Sequence, residues 1–162
     1  MNYEVENLQN HSPKFELLLI PISTPLLIGV YQDGELIETL SSDRKTSEIL
    51  LPLLKECMDR YALSNIIYTR GPGSYMAIKL TYIMLKTIEI TKGIRCLGCS
   101  AFALNGGAPI KAVGSLYFTK EKETIITKKI EQPAIVDFTL PQSIHDLPLD
   151  EESEPEYMIP AV

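Results

Sequence analysis

The residues best placed to do chemistry are Gly71, Gly73 and Ser74, in the run Gly71-Pro72-Gly73-Ser74-Tyr75. A β-branched and aromatic run, Ile66-Ile67-Tyr68-Thr69-Arg70, leads into it, and a helix-length apolar run leaves it. Strand, glycine turn and helix N-terminus is a geometry that cradles phosphate, because unpaired amides and the helix dipole converge there. The simpler use of the same residues is a tight strand-to-helix connection with Ser74 as N-cap. No G-x-x-x-x-G-K-[ST] loop is present. Cys96-x-x-Cys99 has a spacing used by metals and redox pairs. Zinc needs four ligands, and the other candidates are Cys57, His11 and His145. A redox pair usually opens a helix, whereas Cys96 sits in a strand pattern. We read the cysteines as buried and structural. Ser47 and Ser74 lack a G-x-S-x-G elbow and read as caps. Glu48 and Glu56 read as a solvated face. The sequence thus offers no catalytic residue, no metal site and no cofactor.

These residues depend on the helix that starts at Tyr75. On a wheel of about 100° per residue, Tyr75, Lys79, Tyr82, Lys86 and Glu89 share a narrow polar stripe. Its lysines face solvent, an acidic partner or RNA phosphate. Ala77, Ile78, Met84, Leu85 and Ile88 lie opposite, and Met76, Leu80, Ile83, Thr87 and Ile90 occupy a flank between. An ordinary surface helix needs an apolar arc of roughly 100°. This one exceeds half the circumference, which predicts one face on its own sheet and another on a second layer of this domain or on a second chain; the remaining chain, short and polar, favours the second chain.

The remaining elements follow in order. Residues 1–13 are polar and read as a loose leader. Phe15–Ile20, Leu26–Tyr31 and Glu35–Leu40 read as three antiparallel strands, the last two joined by an Asp33-Gly34 turn. Ser42–Tyr61 reads as a helix capped by Thr46 or Ser47, with Pro52 imposing an early bend or a delayed start. Asn65–Thr69 is a fourth strand, and Gly93 ends the long helix. Ile94–Gly98 is a fifth strand and Ser100–Leu104 a short helix. The order βββαβαβα is that of one half of the actin-like, ribonuclease-H-like ATPase fold, an α/β class. The domain is expected over 14–105, with a reduced second lobe over 106–140. In that lobe Val113–Phe118 and Thr124–Lys128 form a hairpin and Ala134–Phe138 a further strand. Residues 141–162 form an acidic, proline-rich tail that cannot fold by itself.

Composition bounds the partners. With 162 residues, 45% hydrophobic, the chain can build a core without disulfides or metal. A net charge of −6 argues against direct nucleic-acid binding by this chain alone. An odd cysteine count and no signal-peptide pattern suggest a reduced, cytoplasmic setting, and no run reads as a membrane span.

The glycine motif and its helix resemble the TsaB (YeaZ) family, whose pattern runs G-R-G-P-G-S-[FY]-T-G-[LI]-R. Leu19–Thr24 stands where that family has an I-D-T-S-T-like strand. Thr46–Pro52 is similar to its H-S-E-x-L-L-P helix, and Gly93–Ser100 to its G-I-P-L-x-G-V-S-S strand and turn. Pro155-Glu156-Tyr157-Met158 is similar to a terminal P-x-Y-L. The resemblance covers most of residues 15–105. It implies a non-catalytic scaffold or activator of a TsaD-type threonylcarbamoyl transferase in tRNA N6-threonylcarbamoyladenosine modification. A TsaE-like ATPase is a further candidate member, and self-association is implied in isolation. The partner face implied on the two helices is Leu50, Leu54, Met76, Leu80, Ile83, Thr87 and Ile90. Pro21 stands where the fold often has a metal-binding aspartate, and proline neither ligates Mg²⁺ nor donates an amide. Met76-Ala77, Lys79 and Thr46 also depart from the family pattern. The alternatives are a nucleotide-binding enzyme of the same fold, using Gly71–Ser74, and a stand-alone homodimer.

Overall fold

The structure, a computed structural model, describes residues 12–156. Eleven of the thirteen positions read as a leader, and the Tyr157-Met158 part of the terminal motif, lie outside the described residues, as does His11. Three strands, β1 (Phe15–Ile20), β2 (Leu26–Gln32) and β3 (Glu35–Ser42), form an antiparallel meander. Helix α1 (Thr46–Arg60) crosses to β4 (Leu63–Gly71), and α2 (Tyr75–Lys92) to β5 (Arg95–Ser100). Strands β1, β4 and β5 pair in parallel, giving the sheet order β3-β2-β1-β4-β5. A 3-10 turn (Ala101–Leu104) then leads to a separate antiparallel sheet of β6 (Ile110–Val113), β7 (Leu116–Glu121) and β8 (Thr124–Lys129).

The central strands are apolar on both sides, as strands covered on two faces must be. Leu17, Leu19, Ile28, Ile66 and Tyr68 pack under α1 and α2 with Leu54, Cys57, Ile78 and Leu85. Leu18, Ile20, Tyr31, Ile67 and Cys99 form the core of the opposite face. No helix of eight or more residues covers that second face among the described residues. The segment from Phe138 onward does so instead, burying parts of Phe138, Leu140, Ile144 and Leu147. This strap has no regular structure of its own, yet it is hydrogen-bonded to both edges of the sheet. Ser143 bridges Glu35 on β3, with the Leu36 amide donating to the Gln142 carbonyl at 2.8 Å. Asp150 bridges Gly98 on β5, its amide donating to the Gly98 carbonyl at 2.8 Å. Crossing from β3 to β5 covers about 19 Å at the usual strand spacing. The chain from Ser143 to Asp150 reaches at most about 25 Å, and it makes the crossing with a hydrogen-bonded turn from Ile144 to Leu147 on the way. The buried Tyr31 hydroxyl donates to the Pro141 carbonyl at 2.7 Å beneath it.

Several expectations need correction. Ser42 pairs with Leu26 and belongs to β3, so α1 begins only at Thr46. Neither Thr46 nor Ser47 caps it. The N-cap is Lys45, with no side-chain bond, and its carbonyl receives the Glu48 and Ile49 amides. The helix starts four residues later than Ser42 and runs through Pro52, which forgoes one amide bond. Ala134–Phe138 is not a strand. It follows Pro133, which has no amide to donate, and it leads the chain down onto the main sheet, where Phe138 is partly buried. The third strand of the small sheet is instead Ile110–Val113, because Gly114, at φ 58°, turns the chain between Val113 and Leu116.

Candidate functional site: the outer face of the second helix and the glycine turn

Ser74 caps α2, accepting the Ala77 amide, and Gly93 closes it in the left-handed conformation. Between them the helix buries Ile78, Thr81, Leu85 and Ile88 against the sheet. The flank of Met76, Leu80, Ile83, Thr87 and Ile90 faces away from the sheet. Met76, Ile83 and Ile90 are 69, 51 and 82% exposed, Thr87 is exposed and Leu80 is half-buried. At about 1.5 Å per residue, Met76 to Ile90 makes an apolar stripe about 21 Å long. Tyr75, Lys79, Tyr82 and Lys86 border it, with Lys79 over the Tyr75 ring and Lys86 over the Tyr82 ring. Lys86 also pairs with Glu89 at 3.0 Å, and the Glu89 carboxylate accepts the Cys96 amide. That backbone bond, with Lys86 beside it, holds the Glu89 carboxyl below the usual range.

Leu50 and Leu54 do not belong to this face. Both are fully buried under α1 against the sheet. The apolar residue that α1 turns outward is Leu51, 53% exposed. The structure therefore gathers Met76, Leu80, Ile83, Thr87 and Ile90 on one face and sends Leu50 and Leu54 to the core.

The glycine turn is built, and it is occupied by the chain itself. Gly71 and Gly73 hold φ of 141° and 159°. A Cβ on Gly71 would stand 2.6 Å from the Glu156 carbonyl oxygen, and one on Gly73 2.8 Å from the Ile22 side chain. Gly71→Ala should therefore lower stability by roughly 1–3 kcal/mol, read from a urea melt. The open side of the turn, at Ser74 and Ala77, faces a shallow cavity of about 270 Å³. Ile22, Thr24, Arg44, Lys45 and Thr46 also line it. Pro21 lines it too, and its side chain offers no ligand.

The cysteines are free and buried. Cys96 belongs to the helix-side core and Cys99 to the strap-side core, so the two cannot share a metal or a disulfide. No cluster of metal-ligating residues exists among the described residues. Burial pushes the Cys57 and Cys96 thiols up to about 11 and Cys99 up to about 12. Their neutral forms are thus the folded ones. The stability they contribute is complete below their ordinary value of 9 and is lost as pH rises through 11–12. We expect a thiol reagent at pH 8 to label almost nothing until denaturant is added, and melts to shift to lower temperature from pH 9 upward.

What sequence reasoning missed is Arg70 and the strap. The Arg70 guanidinium meets the carboxylates of Asp150, Glu152 and Glu156 at 3.2, 3.3 and 3.4 Å. The run of acids was visible, but nothing local linked it to an arginine some 80 positions earlier.

Sheet order, crossing helices and glycine turn define one half of an actin-like, ribonuclease-H-like fold, with a small second sheet attached. No protein-family model matches the chain, and no curated protein does. Solved structures do. One is an uncharacterized protein from Pseudomonas aeruginosa described as having similarity to peptidase YeaZ. It matches at 15% identity and a TM-score of 0.59, over 75% of this chain and 69% of that one. YeaZ from Pseudomonas aeruginosa matches at 15% identity and 0.55, over 76% of this chain and 68% of that one. At such identity the likeness is one of fold. No helix among the described residues is long and apolar enough to cross a membrane.

Proposed function

We propose that this chain is a non-catalytic subunit that docks through the outer face of α2 onto a TsaD-type threonylcarbamoyl transferase. Its role there is to scaffold or activate the modification of tRNA adenosine, with a TsaE-like ATPase as a further member. In isolation the same face pairs two copies. The observation that carries this is the stripe Met76, Ile83 and Ile90, large apolar side chains left in water on an otherwise well-packed helix. The YeaZ-like fold agrees with it. Pro21, and Glu156 seated on the glycine turn, weigh against phosphate chemistry at Gly71, Gly73 and Ser74. His145 lends no support to peptidase chemistry, since its ring pairs with Glu35 at 3.4 Å on the surface.

The test is to mix the chain with the TsaD-type protein of the same cell and measure mass by light scattering, with and without nucleotide. A stoichiometric complex is expected, and its absence in both conditions would overturn the proposal. The competing reading, a nucleotide-binding enzyme, requires heat on titration with ATP and Mg²⁺, and none is expected.

A further inference from the structure

The strap's acidic end, Asp150–Glu156, carries no large apolar side chain, unlike the stretch with Phe138, Leu140, Ile144 and Leu147 before it. It is nevertheless held along its whole length by fixed groups on β4 and β5. The Asp150 amide donates to the Gly98 carbonyl at 2.8 Å and the Glu156 amide to the Arg70 carbonyl at 2.7 Å. Between them the buried Tyr68 hydroxyl donates to the Ser153 carbonyl at 2.5 Å, and Arg70 Nε donates to the Glu154 carbonyl at 2.7 Å. Two bare backbone positions open the track. A Cβ on Gly98 would stand 2.9 Å from the Glu152 carbonyl oxygen, and one on Gly71 would strike that of Glu156. The Arg70 side chain, 12% exposed, reads the three carboxylates that project back from the segment.

We infer that Tyr68, Arg70, Gly71 and Gly98 form a receptor track for an extended acidic peptide. The chain's own Asp150–Glu156 fills this track as a latch that opens separately from the rest of the strap. Bonds to the main chain along a segment, with side chains reading its own side chains, are how proteins bind extended peptides. A planar, permanently charged fork suits that role. Separability follows from charge. One guanidinium faces three carboxylates, and Glu151 and Glu154 add to the excess. The three carboxylates share one positive charge, so the segment's hold rests on that guanidinium and on main-chain bonds alone. The apolar half stays because leaving would expose core; the acidic half has no such anchor. None of the track's residues lies on the outer stripe of α2, so its test is independent of the docking reading.

The experiment uses the full chain with the latch acids neutralised (Asp150→Asn, Glu152→Gln, Glu156→Gln). A fluorescent peptide of the native sequence Leu149–Glu156 is added in trans. The neutralised chain should bind it at least tenfold more tightly than the wild type, where the tethered latch competes at high effective concentration. Arg70→Gln on the same background should abolish binding. In parallel, amide exchange at Asp150 and Glu156 should rise tenfold or more in Arg70→Gln and in Gly98→Ala. The Thr139 and Ile144 amides, bonded to Leu104 and Gly34, should not change. Absence of peptide binding by the neutralised chain at millimolar concentration would overturn the receptor. Exchange rising equally at Thr139 and Ile144 would overturn the separate latch.

Discussion

Ile83→Glu is expected to abolish the proposed association through α2 while leaving the chain folded. Ile83 lies midway along the α2 stripe and is 51% exposed, so in the free chain a glutamate there meets water. The unfolding free energy should move by no more than about 0.5 kcal/mol, as at other surface sites. In a complex the same carboxylate would be buried without a partner, which costs roughly 3–5 kcal/mol. That is a loss of 100-fold or more in affinity. Light scattering should return a monomer mass, and titration against the partner should show no saturation in the range where the wild type saturates. A mutant that still assembles would place the docking face elsewhere on the molecule. Glu introduced at Met76 or Ile90 should act in the same direction.

The second large effect separates core from surface on α1. Leu54 is fully buried under the helix, whereas Leu51, one turn earlier, is 53% exposed. Leu54→Ala should cost about 2–5 kcal/mol, the lost transfer energy plus the cavity. Leu51→Ala should stay within about 0.5 kcal/mol. Paired urea melts of the two variants decide it. Equal effects would mean that α1 is rotated from the position described. If Leu51 belongs to the docking face, its truncation weakens association without touching the melt.

The outcome on α1 shows what a helical wheel can and cannot reveal. An apolar arc gives a direction relative to the helix, not to the protein. On α2 the arc is wider than one sheet can cover, so an excess had to face outward, and Met76, Ile83 and Ile90 do. On α1 the stripe is of ordinary width and the sheet takes nearly all of it, including Leu50 and Leu54, leaving Leu51 outside. The caps Ser74 and Gly93 were legible because each satisfies a local backbone need. So was the meander, from alternation and an Asp-Gly turn. The strap was not legible. Phe138 and Leu140 alternate as in a strand, Leu140, Ile144 and Leu147 stand at helical spacing, and Pro141 interrupts both, so the pattern selects neither element. Their place is fixed by bonds between residues about 110 and 50 positions apart, Glu35 with Ser143 and Gly98 with Asp150. Arg70 was invisible for the same reason.

That strap also sets an order of events during synthesis. While residues up to about 130 are leaving the ribosome, the meander and both crossing helices can already assemble. One side of the sheet then remains greasy, and the outer margins of β3 and β5 remain unguarded, until the stretch around Ser143 and Asp150 emerges. Bare strand margins recruit other chains. A nascent or prematurely terminated product should therefore be a client of chaperones and proteases, and the finished one should not.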